Sequence, residues 1–237
     1  MDIPSLRRET RYGMPAADQV MFNRHYVLGY SYYFRQAKWA LEIVDPDSPG
    51  LERVDNFRSD YRIPEMFRAD LVDYKGSGYD RGHLVASANQ RETELQNSET
   101  FLLSNMSPQK SGFNRKIWKE LEIAVRNLDA APKILETYVI CGPIFYFDQP
   151  VESIGANDAN QVTIPVPHAY FKSVLAEDNK GALLMWSFVL PNKESSQPLD
   201  KFQVPTVLVE KLTGIKLWER LVGKKIDSEK TKVRKMW

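Results

Sequence analysis

The stretch DYKGSGYDRGHLVASANQ, residues 73–90, places an acid, a guanidinium and an imidazole within four positions: Asp80, Arg81, Gly82 and His83. An imidazole, with an unperturbed pKa of about 6.5, can accept a proton at neutral pH, ligate a metal or be packed in a core. Its neighbour Arg81 offers a planar fork of donors that matches phosphate oxygens. Further along, Asn114, Trp118, Glu122 and Arg126 recur at intervals of four. On an α-helix they climb one side with a drift of about 40° per step, Asn114 and Glu122 lying about 12 Å apart along the axis. Asn114 is either an N-cap or a neutral oxygen ligand for a Mg²⁺ that keeps most of its waters. Glu122 and Arg126 are either a surface ion pair worth about 0.3–0.5 kcal/mol or part of a site, Glu122 reaching a water in that ion's shell.

Strands and one long helix must position these groups. HYVLGYSYYF (25–34) and QAKWALEIVD (36–45) are aromatic and β-branched runs that read as adjacent strands. Residues 46–78 lack a sustained period and read as a long connection, with a short helix near Glu65 to Ala69. From Tyr79 to Ala86, alternation suits a strand with Arg81 and His83 on one face, Asp80 aimed away in a structural role, and Gly82 allowing a close approach or a bulge. TFLLSNMSP (100–108) is a second extended run ended by Pro108. Residues 114–129 form a helix, with Ile117, Leu121, Ala124, Val125 and Leu128 as its apolar stripe. Three more strand-like runs follow, then a helix over about Val204 to Leu212 stopped by Gly214, and a polar, basic tail over 223–237. The pattern predicts one α+β domain with a mixed, mainly antiparallel central sheet flanked by helices, its core spanning about 11–222.

Composition narrows the function classes. With 237 residues, 43% hydrophobic and 27% charged, the chain can bury a sizeable core. It has no apolar run of membrane-spanning length, so no membrane insertion is expected, and its N-terminus lacks a signal-peptide core. A net charge of +1 does not advertise nucleic-acid binding, although local clustering could supply it. The single cysteine, Cys141, excludes an internal disulfide and reads as a buried hydrophobe; His168 reads as a packing residue and His25 as interfacial.

The blocks YDRGH, SNMSPQ and N-x-x-x-W-x-x-x-E occur in this order, and RYGMP, CGPIF and IPVPHAYFK extend the pattern over most of residues 11–222. Together they resemble the DNA/RNA non-specific endonuclease family, the ββα-metal nucleases, and within it the endonuclease G branch. The resemblance implies His83 as general base, Asn114 as the one direct ligand to Mg²⁺ or Mn²⁺, and Glu122 acting on the ion through water. It further implies Arg81 and Arg126 at the phosphate, Asn105 arranging the site, and an upstream arginine, Arg53 or Arg58. It implies DNA and RNA substrates, single- and double-stranded, and a homodimer. So broad an activity calls for confinement, by a protein inhibitor or by location: mitochondrial, periplasmic or secreted, or as a restrained intracellular effector. Phosphodiester hydrolysis needs an activated water and positive charge on the transition state, which these residue types supply. Lys110, Arg115, Lys116 and the arginines near 52–63 are candidate phosphate contacts, and no element is built to read bases. Competing classes are a non-catalytic binder, a phosphodiesterase for small substrates and a zinc module, the last disfavoured by the lone cysteine.

Overall fold

The structure, a computed structural model, describes residues 7–45, 51–156 and 161–237. Strands β1 (Gln19–Phe22), β2 (Tyr26–Ser31) and β3 (Gln36–Ile43) form a meander from the aromatic runs at the start of the chain. The chain then leaves the sheet to build a separate layer. The helical piece expected near Glu65 to Ala69 is a 3-10 turn at Glu65–Phe67, followed by α1 (Leu71–Tyr74), which Asp70 and Asp73 cap reciprocally. Strand β4 (Asp80–His83) and strand β5 (Met106–Gln109) pair as a two-stranded antiparallel ribbon, with α2 (Glu94–Glu99) between them. Pro108 does not end its strand: every strand of a two-stranded ribbon is an edge strand, where a missing N–H leaves the ladder intact.

A π-helical turn, Phe113–Trp118, runs directly into α3 (Lys119–Asp129). The wider i→i+5 turn advances less around the axis per residue, so it offsets part of the drift that separates Asn114 from Glu122 on a regular helix. The expected stripe is the buried face: Ile117, Leu121, Val125 and Leu128 enter the core, with Ala124 against its edge.

Strand β6 (Ile134–Ile144) returns to the main sheet. A small ribbon, β7 (Ser153–Gly155) and β8 (Thr163–Pro165), precedes β9 (Ala169–Asp178), β10 (Leu183–Pro191) and the short β11 (Gln203–Val204). The sheet order is β1-β2-β3-β6-β9-β10-β11, with every neighbouring pair antiparallel; the central sheet is therefore not mixed. Both faces are covered. Tyr170, Val174 and Ala176 point into the core beneath α3, whereas Phe171 and Leu175 point into the core shared with α4 (Thr206–Thr213). Gly214 caps α4 with a φ of +69°, the left-handed conformation glycine adopts freely.

The polar tail docks on this frame. It forms α5 (Lys224–Lys230), and Trp237 then inserts edge-on against Trp186 at 5.1 Å while donating its indole N–H to the Ala124 carbonyl at 2.8 Å. The backbone carbonyls of Arg234 and Lys235 accept from Gln203 and Trp186. Trp237→Ala should cost about 1–2 kcal/mol, or roughly 3–6 °C of melting temperature by thermal denaturation. An unchanged melting temperature would show that the tail contributes no packing.

Candidate active site

The ribbon, the π turn with α3, and the loop 51–58 converge on two adjoining cavities of about 460 and 600 Å³. They share Arg53, Arg81, Asn114 and Arg115; the smaller also reaches His83, Glu122 and Arg126. Five of the six residues singled out for chemistry therefore line one cleft. The sixth, Asn105, does not. It is fully buried, accepts from the Val85 N–H at 3.0 Å and donates to the carbonyls of Val85 and Thr100. Asn105 thus holds the backbone just beyond His83.

That backbone is held from three further directions. Trp118 donates its indole N–H to the His83 carbonyl at 3.3 Å, Cys141 donates its thiol to the Leu84 carbonyl, and the Leu84 N–H bonds the Asn105 carbonyl. The imidazole stands edge-on to Phe57 and Phe101, with centroids 5.7 and 5.0 Å away, and its Nε2 is buried without a hydrogen-bond partner. Burial, then the charges of Arg53 and Arg81, push the His83 pKa down to about 3. Packing and chemistry, alternatives in the sequence, are both present: the ring is walled by aromatics yet keeps an unspent nitrogen.

Asp80 is salt-bridged and stays off the smaller cavity that His83 lines, but it lines the adjoining larger one. Its carboxylate accepts from Asn114 Nδ2 at 2.9 Å and from Arg115 Nε and Nη2 at 2.9 and 2.8 Å. Burial would raise its pKa, but the Arg115 and Asn114 hydrogen bonds outweigh that and hold it below the usual value. A carboxylate can only accept, so it obliges the amide nitrogen of Asn114 to face it and turns Oδ1 the other way. Gly82 has its close approach too, from protein: a Cβ there would stand 2.1 Å from the buried Gln109 side chain.

Glu122 sits half-buried on the same cleft. Burial raises its pKa, against Lys172 and then Arg126, which lower it. Lys172 is itself 2% exposed, its ammonium 4.3 Å from the centre of the Trp118 ring. Among the described residues there is no cluster of three or more His, Cys, Asp or Glu suited to a metal. The available donors, one free amide oxygen and one carboxylate farther along the helix, fit a hard ion that keeps most of its water.

Arg81 lies over the Phe57 ring at 4.1 Å, and Arg126 donates to Asn89 Oδ1 at 3.0 Å. The structure separates the two upstream arginines. Arg53 lines both cavities and stacks on Phe101, whereas Arg58 bonds the carbonyls of Asn56 and Ser98. Of the other surface cations, Lys116 pairs with Glu194, Arg62 with Asp60, and Arg115 with Asp80. Lys110 lies over Tyr79. His168 accepts from the Tyr146 N–H and its Nε2 meets the Pro150 carbonyl, a hydrogen-bonded packing role. Burial lifts the Cys141 thiol to about 12, which removes it as a nucleophile.

Phe57, Phe101 and Lys172 went unremarked in the sequence. Lys172 did carry a signal, a lysine inside the otherwise apolar face of AYFKSVLAE. With a pKa near 3, His83 remains neutral through the range where an exposed histidine titrates. Its ring resonances, followed by NMR on the metal-free protein, should stay flat from pH 8 to 5. An inflection between pH 6 and 7 would contradict the burial argument.

The family model for DNA/RNA non-specific endonucleases matches residues 5–223. Mitochondrial endonuclease G of Caenorhabditis elegans is 35% identical, the match covering 92% of this chain and 74% of that protein. Human mitochondrial endonuclease G is 33% identical over 86% of this chain and 71% of its own length. Among solved structures, EndoG in the EndoG/EndoGI complex superposes with a TM-score of 0.81 at 35% identity, covering 91% of each chain. The chain belongs to the DNA/RNA non-specific endonuclease family, as a nucleic-acid hydrolase similar to endonuclease G.

Proposed function

We propose that this chain cleaves DNA and RNA, single- and double-stranded, by hydrolysing phosphodiester bonds with one hydrated Mg²⁺, for which Mn²⁺ can substitute. The observation that carries the reading is one cleft that combines a neutral imidazole with an unspent nitrogen, an amide oxygen turned outward by Asp80, and Arg53, Arg81 and Arg126. Asn114 would hold the ion directly through Oδ1, and Glu122 through a water. Bound there, the ion supplies positive charge for the phosphate and the departing 3′ oxygen.

His83 takes the proton of the attacking water. In the free protein its burial beside two arginines makes it a weak base as well as a neutral one. An incoming phosphate offsets the charges of Arg53 and Arg81, so the imidazole gains basicity when substrate is in place. Arg81 and Arg126 stabilise the phosphate, with Arg53 as the upstream arginine. These groups meet backbone phosphate, which carries no base identity, so cleavage depends weakly on sequence and binding weakens steeply with salt. Exposed Arg81 and Arg115 on the cleft edge suit a polymer better than a small phosphodiester.

By family likeness the chain acts as a homodimer, which light scattering would test. A protein inhibitor fits the same reading, since the similar EndoG structure is a complex with EndoGI. The mitochondrial names of the relatives favour a mitochondrial location. No helix of the described residues is long and apolar enough to cross a membrane.

Purified protein should degrade plasmid and RNA with Mg²⁺ and stop with EDTA. His83→Ala should lower kcat by about 100-fold or more. Asn114→Ala should raise the Mg²⁺ concentration needed for half-maximal rate, and Glu122→Ala should lower the rate with little loss of nucleic-acid affinity. Activity that survives both EDTA and His83→Ala would remove the mechanism.

A further inference from the structure

Arg126 reaches the cleft on a long side chain, and among the described residues it forms no ion pair that would fix the guanidinium. Its Nη1 donates instead to Asn89 Oδ1 at 3.0 Å. Asn89 is 4% exposed, and its amide is engaged at both ends, because Nδ2 donates to Glu42 Oε1 at 3.0 Å. Glu42 lies on β3 in the core beneath α3, 1% exposed. Ionised, the Glu42 carboxylate only accepts, and the Arg126 guanidinium only donates, so the Asn89 amide is held with its nitrogen toward Glu42 and its oxygen toward Arg126.

The other Glu42 oxygen accepts from Gln90 Nε2 at 3.1 Å, and Gln90 Oε1 accepts from Gln96 at 2.8 Å. Asn97 then ties the carbonyls of Ser87 and Gln90 to the Val54 N–H at 3.0 Å, next to Arg53. One buried network therefore runs from the guanidinium on α3 to the loop that carries the second arginine.

We propose that Asn89, oriented by Glu42, is a positioning residue that fixes the Arg126 guanidinium for the phosphate, the same network indexing the Arg53 loop to it. Asn89 touches the arginine and acts on the reaction only through it. The inference rests on the phosphate role of Arg126 proposed above.

A double-mutant cycle tests it on the Mg²⁺-loaded protein with a labelled DNA duplex, comparing Asn89→Ala, Arg126→Ala and the pair. Asn89→Ala should lower kcat by about tenfold, as loss of orientation does, with KM changed less than about twofold. Arg126→Ala should lower kcat at least as far, and the double variant should be no slower than Arg126→Ala alone. With Arg126→Ala impaired, losses that multiply in the double variant, or a wild-type kcat for Asn89→Ala, would overturn the tether and leave the site reading standing. A wild-type kcat for Arg126→Ala would overturn both. If Asn89→Ala does not fold, the pair Asn89→Leu with Glu42→Gln removes the tether without leaving a buried carboxylate unpaired, and the same pattern is expected against Arg126→Ala.

Discussion

The contact of the Asp80 carboxylate with Asn114 and Arg115 is the constraint on which the site depends. It joins the ribbon that carries His83 to the π turn that opens the long helix, so the proposed base and the proposed metal ligand are held in one frame. It also decides which end of the Asn114 amide faces the cleft. Two guanidinium hydrogen bonds keep the carboxylate ionised despite partial burial, which makes it a dependable acceptor.

Behind this contact the protein accepts an unusual set of buried polar groups. Lys172 and Glu42 lie on the face of the sheet covered by α3, where an unpaired charge would be costly, and the half-buried Glu122 of α3 adds a second carboxylate near them. Burial raises the Glu42 pKa to about 7, although Lys172 and the amides of Gln90 and Asn89 favour its charged form. The lysine stands over the Trp118 ring, and that indole bonds the His83 carbonyl. The core therefore supports the cleft through polar contacts as well as through apolar packing, and a change in one buried group reaches several residues at the site.

Near-neutral composition conceals strong local charge. Pairings such as Lys116 with Glu194, Arg62 with Asp60 and Arg53 with Asp55 neutralise part of the surface, while Arg81 and Arg126 face the cleft with no ion pair among the described residues. Fields of one sign in a low-dielectric cleft attract an anion more effectively than the same charges spread over a surface. Net charge alone was a poor guide for that reason.

The sequence by itself determined much of the architecture. The stripe Ile117, Leu121, Val125 and Leu128 required a helix docked on a sheet, the aromatic runs required the β2–β3 pair, and Gly214 required a helix end. These are local matters of period and backbone freedom. The ordered blocks around His83, Asn114 and Glu122 pointed to the right family for the same reason, since chemistry demands particular side chains at particular spacings. What only the tertiary structure decided involves partners far apart in the chain: Asp80 with Asn114, Arg126 with Asn89 and Glu42, Arg53 rather than Arg58 at the cleft, and Trp237 on Trp186. A buried polar group must find a hydrogen-bond partner wherever the fold brings one, and strand alternation near Asp80 carries no information about a helix that arrives later in the chain.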